Sequence, residues 1–514
     1  MLGMTNGNNK MAGFWAVLLL FGLSASGLAS NGSEELIVAA HYAPWYRGPG
    51  GGNWSFQLGK KSIRTAYKPL LGYYDNLNPS VLNKHIAWAE KYGINTFMIE
   101  WNGQDTLDFY SPLDISMQVF LQNPNFKQID FFFVYSLISA LKLPGDPAFA
   151  PVDLNRRAVV DKMVADFRYA SRDYLQRSHY LKIKERPVIY LWSVPLAHGN
   201  LRKAVSRLRN VIKEETGLNP FIIADVVSMY ADPDPAVIKH FDAVMPYLML
   251  EINGYPPQNY ALKDSTDTVI ERYRFFHYAC RDLQVHFVPA VFPGFDAVGA
   301  PWCYDGKRRL TTPTVKRTVP AFKEFVIQAK SFVDPELNML YVTSWSEWNE
   351  GTNIEPSTKF KYKYLNALKK GLARPSSEQP APHRLRFKFA RVVNPAGNDD
   401  RLLGASFQWI EFLDAGLNPL LTLDIGTSKV RRSMGWGWYQ NENEPPDGAT
   451  FCWAGGKEKF ATLYVDVPPD ARFLKLILRQ VDGQRITIHI DDRWITQIQT
   501  NHAWSWAQHI IPLD

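Results

Sequence analysis

The chain has little cysteine: its 514 residues include only Cys280, Cys303 and Cys452. Three cysteines cannot make a dense disulfide framework, which excludes the small secreted domains that fold around such bridges. In an oxidising compartment Cys280 and Cys303 have the option of pairing, which would leave Cys452 free. With 46% hydrophobic and 21% charged residues, the composition is that of an ordinary globular protein and argues against wholesale disorder.

Concentrated basic charge is also missing. The net charge is +7, but lysine and arginine are scattered along the chain and form no long run. A nucleic-acid-binding surface usually gathers its basic residues into a stripe, so we expect no nucleic-acid partner. The sequence has no His-Glu-x-x-His, no Gly-x-Ser-x-Gly and no Walker loop, and its 11 histidines do not cluster at metal-ligand spacings. These absences disfavour zinc proteases, serine hydrolases of the nucleophile-elbow type and P-loop enzymes.

A long apolar run occurs only near the N-terminus, at residues 11–23, directly after Lys10. Small residues follow, and Gly27-Leu28-Ala29 fits a small-x-small cleavage site. This order is typical of a secretory signal peptide, which we predict at residues 1–29. The run is shorter than the roughly 20 residues of a membrane span, so an uncleaved signal anchor is the less favoured alternative. We expect a secreted or lumenal protein without stable membrane insertion after cleavage.

Aromatic residues are abundant: the chain has 16 Trp, 24 Tyr and 30 Phe. A large core is one explanation, because aromatic side chains bury much apolar area per residue. Sugar binding is the other, because the C–H faces of pyranose rings stack on flat aromatic rings. Composition alone favours the core.

Short β-branched or aromatic runs alternate with amphipathic segments along residues 36–372, which is the pattern of repeated strand–helix units. Strands are predicted at residues 36–42, 94–100, 129–135, 187–192, 221–225, 243–247, 286–291 and 339–344. Helices are predicted at residues 79–92, 154–169, 201–215, 265–282, 315–332 and 362–372. This order predicts a (β/α)8 TIM barrel over residues 30–373. A doubly wound open sheet is the alternative, but no glycine-rich phosphate loop follows the first strand.

The sequence changes character after the barrel. Residues 374–383 are rich in proline and serine and are predicted to be a linker. Residues 384–514 contain alternating polar and apolar runs separated by turn signals, which predict an antiparallel β-sandwich as an accessory module. Within it, Gly-Trp-Gly-Trp-Tyr at 435–439 is either an exposed platform for a glycan or part of the core. We favour the core.

The segment richest in candidate catalytic residues is 343–356, directly after the eighth predicted strand. In a barrel this position lies at the carboxyl ends of the strands, where catalytic groups sit. The segment holds three glutamates within nine residues. Glycosidic cleavage usually needs two carboxyl groups, one to protonate the departing oxygen and one to promote attack at the anomeric carbon. A solvated surface loop is the alternative explanation.

This segment resembles the endo-mannosidases of glycoside hydrolase family 99 and the related WbsX-like proteins of polysaccharide biosynthesis clusters. Their hallmark, Glu-Trp-x-Glu-Gly-Thr-x-Ile-Glu after the last barrel strand, matches residues 347–355 at every position. The stretch His-Tyr-Ala-Pro-Trp-Tyr at 41–46, with Gly-Tyr-Tyr-Asp at 72–75, is similar to the opening of the same group. The resemblance covers roughly residues 36–372 and leaves the C-terminal module unaddressed.

The resemblance implies catalytic roles for two glutamates. Glu350 corresponds to the general acid and base, and Glu347 to the residue that assists the substrate's own 2-hydroxyl in attacking the anomeric carbon. Such a reaction gives net retention through a 1,2-anhydro sugar. No metal and no organic cofactor are implied. The family usually has Asn before the first Glu and His between the two, where this chain has Ser346 and Asn349, which puts the exact mannosidase specificity in question.

Seven further residues are expected to line the sugar site, because they follow barrel strands or belong to the acidic segment: Trp45, Tyr46, Glu100, Trp101, Tyr247, Trp348 and Glu355. For those after the first two strands, simple packing at the barrel mouth is an equal alternative. Tyr247 resembles a family tyrosine near the reacting centre. Asp225 and Asp296 also lie at or near strand ends, but helix capping explains either equally well.

The sequence therefore predicts a glycoside hydrolase that cleaves a mannose-containing or related glycan, with endo action and retention. Its partner is an oligo- or polysaccharide substrate, and the protein is expected to be a monomer. Two alternatives stay open. One is a WbsX-like glycosyl-transferring enzyme of polysaccharide biosynthesis, and the other is a non-catalytic glycan-binding barrel.

Overall fold

The structure, a computed structural model, describes residues 35–49, 53–58, 61–104, 113–147, 150–226, 235–248, 260–305, 308–309, 314–375, 381–395, 399, 401–431, 433–444, 448–499 and 504–513. The predicted signal peptide lies outside these residues, and so does the middle of the predicted linker. Leu36–Asp514 is one compact unit.

A ring of parallel strands occupies the centre of the N-terminal region. The strands are β1 (Ile37–Tyr42), β2 (Thr96–Glu100), β3 (Asp130–Ser136), β4 (Arg186–Trp192), β5 (Phe221–Ala224), β6 (Ala243–Val244), β7 (His286–Phe287), β8 (Ala290–Val291) and β9 (Met339–Val342). Each pairs in parallel with its neighbour along the chain from β1 to β7, and β9 pairs with β1. All eight predicted strand positions are confirmed. The one at residues 286–291 is occupied by two short strands, β7 and β8.

The short strands β7 and β8 close this ring. β7 pairs with β6, whereas β8 pairs with β9 on the opposite side. Between them, the amide of Val288 donates to the carbonyl of Val244 at 2.9 Å, and the amide of Tyr341 donates to the carbonyl of Pro289 at 3.0 Å. Residues 286–291 therefore act as one strand hydrogen-bonded on both sides. The sheet is the predicted eight-stranded barrel.

Helices follow the barrel strands. They are α1 (Pro79–Lys91), α2 (Leu113–Gln122), α3 (Leu137–Ala140), α4 (Arg157–Asp173), α5 (Leu201–Thr216), α6 (Pro235–Ile238), α7 (Leu262–Asp282), α8 (Val319–Ala329) and α9 (Lys363–Leu372). The six predicted helices are confirmed, with α2, α3 and α6 in addition. Local sequence sets their ends: Asn78 caps α1 by accepting from the amide of Ser80, and Gly217 ends α5 with a φ of 74°.

Short paired segments decorate the barrel. They are Ser55–Leu58 with Lys61–Arg64, Val152–Asp153 with Ala197–His198, Lys182–Ile183 with β4, Tyr260–Ala261 with Val315–Lys316, and Tyr304–Asp305 with Arg308–Arg309. Single turns of 3₁₀ helix lie at Pro124–Gln128, Val194–Leu196, Ala297–Gly299, Pro301–Cys303 and Lys330–Phe332.

The C-terminal region is an antiparallel β-sandwich, as predicted. One sheet contains Phe460–Val465, His383–Phe389, Arg485–Ile490 and Arg493–Gln499. The other contains Trp438–Glu444, Ala449–Gly455, Leu403–Leu413, Phe473–Gln480 and Ala507–Pro512, with Pro419–Asp424 beside the long third strand. Alternate side chains of both sheets, such as Phe387 and Phe407, are buried in a shared core.

The tryptophans of residues 435–439 belong to packed interior, as favoured from the sequence. The Trp436 indole is buried and donates to the carbonyl of Ala279 at the end of α7, at 3.0 Å. The Trp438 indole donates to the carbonyl of Thr462 at 2.6 Å. The two indoles therefore anchor the sandwich to the barrel and fill its core, and they form no exposed platform.

Ion pairs join the sandwich to α7. Asp282, whose side chain is 9% exposed, accepts from both Arg384 and Arg386 and from the hydroxyl of Tyr464. Earlier on the same helix, Arg274 forms an ion pair with Asp466 of the sandwich. The barrel region and the sandwich are therefore in direct contact.

All three cysteines are buried, and none of them forms a disulfide, so the pairing of Cys280 with Cys303 is not formed. Burial strongly raises the pKa of the Cys280 thiol, which keeps it protonated and unreactive. Within the residues that the structure describes, no helix has both the length and the apolar character needed to cross a bilayer.

Candidate active site

The segment after β9 is tied to the barrel through its backbone. The amide of Trp345 donates to the carbonyl of His41 on β1 at 2.7 Å, and the amide of Glu355 donates back to the carbonyl of Trp345 at 2.9 Å. The amide of Ser344 donates to the carbonyl of Thr352, and the amide of Ile354 donates to the carbonyl of Ser344. The segment thus forms a tight loop whose two ends run side by side over the barrel mouth.

The tip of this loop carries Glu347 and Glu350 in a single turn. Gly351 follows with a φ of 63°, and a Cβ at that position would lie 3.2 Å from the carbonyl oxygen of Asp296. The backbone around it is also fixed, because the amide of Asp296 donates to the carbonyl of Glu350 at 2.8 Å. Glycine is therefore required here to turn the chain immediately after Glu350.

Glu347 is a buried carboxyl among other acids, with only 5% of the residue exposed. Its Oε1 accepts a hydrogen bond from the amide of Asn349 at 3.0 Å. Burial, followed by the charges of Glu350 and Glu100, raises the pKa of Glu347 well above its usual range, against the lowering effect of the backbone amides. A raised pKa makes its carboxylate a stronger base than an exposed glutamate.

Tyr247, just beyond β6, faces the same acids. Burial and the charges of Glu350 and Glu347 raise the pKa of its phenol well above the usual value, so the hydroxyl stays protonated. The hydroxyl of Thr343 donates to the carbonyl of Tyr247 at 2.7 Å, which fixes the tyrosine relative to the loop. The phenol is thus a hydrogen-bond donor held beside both glutamates.

Glu100 ends β2 and points toward this group. Its Oε2 accepts a hydrogen bond from Nε2 of His41 at 3.1 Å, and both residues are buried. The His41 ring meets Tyr247 edge-on, with centroids 5.4 Å apart. The structure thus brings together Glu347, Glu350, Glu100 and Tyr247, four residues singled out from the sequence.

Glu355 occupies a different environment. Its side chain is completely buried, and both oxygens are bonded to protein: Oε2 to the Tyr74 hydroxyl and the Trp348 indole, Oε1 to His85. His85 in turn is hydrogen-bonded to the Tyr42 hydroxyl. The oxygens of this carboxylate are occupied by the protein, and the network supports the loop from beneath.

Trp348 and Tyr46 belong to a buried aromatic cluster together with Trp45, Trp54 and Tyr74. The hydroxyl of Tyr46 accepts from the amide of Trp348 at 3.0 Å, and its ring stacks on Trp54 with centroids 4.0 Å apart. The rings therefore hold the catalytic loop against the segment after β1. Trp45, 5% exposed, is at the edge of this cluster.

Trp101 also lies in packed interior. It is fully buried, its indole donates to Asp114 on α2 at 2.9 Å, and its ring stacks on Phe133 with centroids 4.8 Å apart. These contacts fix α2 against the barrel strands and place the ring among barrel residues.

Ser346 and Asn349, where the chain departs from the family pattern, both stabilise the loop. The Ser346 hydroxyl accepts from the amide of Ala43 at 3.0 Å, joining the loop to the end of β1. Asn349 is 8% exposed, and its backbone carbonyl and Cα lie close to Gly299. The hydrogen bond to Glu347 comes from the backbone of Asn349, which any residue except proline supplies.

The two aspartates considered as helix caps behave differently. Asp296 does cap a 3₁₀ turn, because its Oδ1 accepts from the amide of Val298 at 3.2 Å. Asp225 is fully buried next to β5, and its charge raises the pKa values of Tyr190 and Tyr341 after the larger effect of burial. Asp225 is therefore a further acid of the barrel interior.

Sequence reasoning missed Arg317, which clamps the outer side of the loop. Its guanidinium donates to the carbonyl of Gly351 at 3.2 Å and to the side chain and carbonyl of Asn353 at 3.2 and 2.6 Å. It also lies over the ring of Tyr364, 4.3 Å from the centroid. No local motif marks such a residue, because its partners are about 35 residues away in sequence.

The arrangement suits acid–base chemistry on a neutral ligand. It offers a carboxyl of raised pKa, a second glutamate in the same turn and a phenol donor at the barrel mouth. No group of three or more His, Cys, Asp or Glu in the described part of the chain is arranged to hold a metal ion.

Comparison with known proteins gives a family match over part of the barrel. The sequence model of the family described as "Glycosyltransferase WbsX" matches residues 156–368. Two curated relatives, both called uncharacterized protein WxcX, come from two strains of Xanthomonas campestris pv. campestris. Each is 23% identical over 322 residues, which cover 59% of this chain and 43% of the relative. The chain thus matches less than half the length of these relatives.

Two solved structures align with this chain. A GH99 endo-alpha-mannosidase from Bacteroides thetaiotaomicron aligns with a TM-score of 0.47 at 15% identity, covering 65% of this chain and 95% of that one. A glycoside hydrolase-like protein aligns with a TM-score of 0.49 at 17% identity, covering 66% and 95%. The family match agrees with the WbsX part of the resemblance found in the sequence: over residues 156–368, the chain is similar to the WbsX family.

Proposed function

We propose that this protein is a glycan-acting enzyme and, more specifically, a retaining glycoside hydrolase with endo action on a mannose-containing or related glycan. One observation carries the proposal: Glu347 and Glu350 lie in one turn at the barrel mouth, and burial raises the pKa of Glu347. A solvated loop would leave the pKa of Glu347 in its ordinary range. The sequence resemblance supplies the sugar class and the stereochemistry.

The proposed first step breaks the glycosidic bond with help from the substrate. Glu347 takes the proton of the 2-hydroxyl, the resulting oxygen attacks the anomeric carbon, and Glu350 gives its proton to the departing oxygen. The raised pKa of Glu347 favours proton uptake. The Tyr247 hydroxyl is placed to donate a hydrogen bond to the sugar during this step.

The second step opens the 1,2-anhydro sugar. Glu350, now ionised, takes a proton from water, whose oxygen bonds to the anomeric carbon as the three-membered ring opens. Glu347 returns its proton to the 2-oxygen. Both glutamates end in their starting states, and the anomeric configuration is retained after two inversions.

Glycosyl transfer is the second candidate, and the description of the matching family favours considering it. It would differ only in the second step, where an acceptor hydroxyl replaces water. A non-catalytic glycan-binding barrel is the third. Such a barrel would have no need of two acids in one turn.

The test measures product release from a panel of α-mannans and N-glycans by wild type and Glu350→Gln. We expect cleavage by wild type and a decrease of at least about a hundredfold in the variant, the lower range for lost general acid–base catalysis. Glu214→Gln, an exposed glutamate on α5, is the matched control and should cleave like wild type. Glycan binding without cleavage by any of the three would contradict the enzyme and favour the binding barrel.

Two further measurements separate the finer proposals. NMR of the first-formed anomer tests retention, and added oligosaccharide acceptors that appear in longer products would favour transfer over hydrolysis. We also propose that the protein is secreted or lumenal, which the signal-like sequence at residues 1–29 supports. We further propose that it is a monomer. The N-terminal sequence of the natural protein and its mass in solution test this.

A further inference from the structure

Glu100 has one oxygen held by the protein and one free. Oε2 accepts from His41, but among the residues that the structure describes no donor bonds to Oε1. The residue is more than nine-tenths buried, and Oε1 is not among the enclosed atoms without partners. A buried carboxylate normally satisfies both oxygens. Oε1 therefore faces the open mouth, in a position to accept a hydrogen bond from a ligand.

The strand register places this oxygen in the site of the proposed reaction. Glu100 ends β2, and His41 lies on the neighbouring β1, opposite Met98. The His41 carbonyl accepts the amide of Trp345, at the root of the catalytic loop. The charge of Glu100 acts on both Glu347 and Tyr247, so all three surround one space.

This space is lined by acidic side chains. Glu350 and Glu100 are the charges that raise the pKa of Glu347, and Glu350, Glu347, Tyr341 and Glu100, in that order, raise the pKa of Tyr247 after burial. No lysine or arginine is among these influences. A ligand that brought its own carboxylate here would meet like charges at short range in a medium of low dielectric, which opposes its binding.

We propose that Glu100 is a specificity-determining residue: its free oxygen accepts a hydrogen bond from the sugar at the cleavage point, and its charge excludes acidic sugars from that position. The inference rests on the proposed function and deepens it. It narrows the substrate class to glycans whose sugar at this position carries hydrogen-bond donors and no acidic group.

His41 is the positioning residue for this interaction. A carboxylate only accepts hydrogen bonds, so Nε2 of His41 carries the hydrogen and holds Oε2. Because the hydrogen bond from His41 fixes Oε2 of Glu100, it also fixes the direction in which Oε1 points. The edge-on contact with Tyr247 links the same imidazole to the phenol on the far side of the site.

The test uses one polymer in two charge states: an α-mannan, and the same mannan oxidised to the uronate at C6. Binding is measured by affinity electrophoresis in the Glu350→Gln background, which prevents cleavage. We expect the neutral polymer to bind at least about tenfold more tightly than the oxidised one. Adding Glu100→Gln should weaken binding of the neutral polymer about tenfold, the effect of one hydrogen bond to a charged group, and should reduce the preference to about twofold.

Two His41 variants test positioning apart from folding. His41→Phe keeps a flat ring but cannot donate, so the preference should decrease as it does with Glu100→Gln. His41→Gln can still donate through its amide and should restore most of the preference. If His41→Phe and His41→Gln show the same preference for the neutral polymer, whatever their thermal stability, the positioning role of His41 is contradicted.

The outcomes separate this inference from the proposed function. Mannan cleavage by wild type together with unchanged preference in Glu100→Gln overturns the inference and leaves the function standing. Preference for the neutral polymer that depends on Glu100, without cleavage by wild type, supports the inference and contradicts the hydrolase. Equal binding of the two polymers, or binding of neither, overturns the inference.

Discussion

Arg317 donates three hydrogen bonds to the loop that carries the two glutamates, although it lies on a different segment. Its acceptors are the carbonyls of Gly351 and Asn353 and the side chain of Asn353, all in buried residues. Burial lowers the pKa of the Arg317 guanidinium, yet that pKa starts far above neutrality and the charge is kept. Aromatic faces surround it, with Tyr364 nearest.

The perturbation is Arg317→Met, which keeps the apolar stem and removes every donor. Three acceptors lose their partner, at about 1 kcal/mol each, and the contact with the aromatic rings contributes about 1 kcal/mol more. We therefore expect a loss of about 3–4 kcal/mol in the free energy of unfolding. The loop should also move, and a displacement of roughly 1 Å costs on the order of a hundredfold in rate.

Urea denaturation followed by tryptophan fluorescence measures the first effect, and cleavage of the identified glycan measures the second. Arg157→Met is the matched control, because the Arg157 side chain is 91% exposed and its ion pair with Asp161 should contribute less than about 1 kcal/mol. If Arg317→Met is as stable and as active as this control, the clamp has no energetic role and the reasoning is refuted.

Two more predictions concern buried acids. Glu347→Gln should abolish activity but stabilise the protein at neutral pH. Because the folded pKa of Glu347 is raised, the contribution of this carboxyl to stability is present below the unfolded pKa and is lost as pH rises through the folded pKa. Urea titrations of both proteins at about pH 4 and about pH 8 check this, and a stability difference that does not grow with pH contradicts it. Asp282→Asn leaves Arg384 and Arg386 without their shared carboxylate and should cost about 3 kcal/mol. Unchanged unfolding of this variant, compared with the exposed Asp161→Asn, would mean that the sandwich docks through its apolar contacts alone.

Much of the fold follows from local pattern. A barrel strand is a short apolar run between helices, so all eight positions were predictable from periodicity and spacing. The ends of β5 and β6 were overestimated by one to three residues, because the extended backbone continues to pair with the neighbouring strand just beyond each of them, as the amides of Asp225 and Met245 show. The helix α2 was missed, since its ten residues carry no clear periodic signal in the sequence.

The candidate site divides in the same way. The motif at residues 347–355 located the two glutamates, and strand ends located Glu100 and Tyr247, because parallel strands bring their carboxyl ends to one rim. Sequence could not separate residues that face the mouth from those that support it. Trp101 and Glu355 look like site residues by position, yet in the structure their polar groups are bonded to protein.

The sequence by itself determined the element order, the two modules and the residue types that carry the chemistry, because these depend on patterns within a few turns of the chain. Only the tertiary structure decided which acids share a space. The bond between His41 and Glu100 spans 59 residues, the clamp by Arg317 spans 36, and the docking of Arg384 on Asp282 spans 102. Such contacts arise from closure of the barrel and packing of the sandwich, and no local pattern records them.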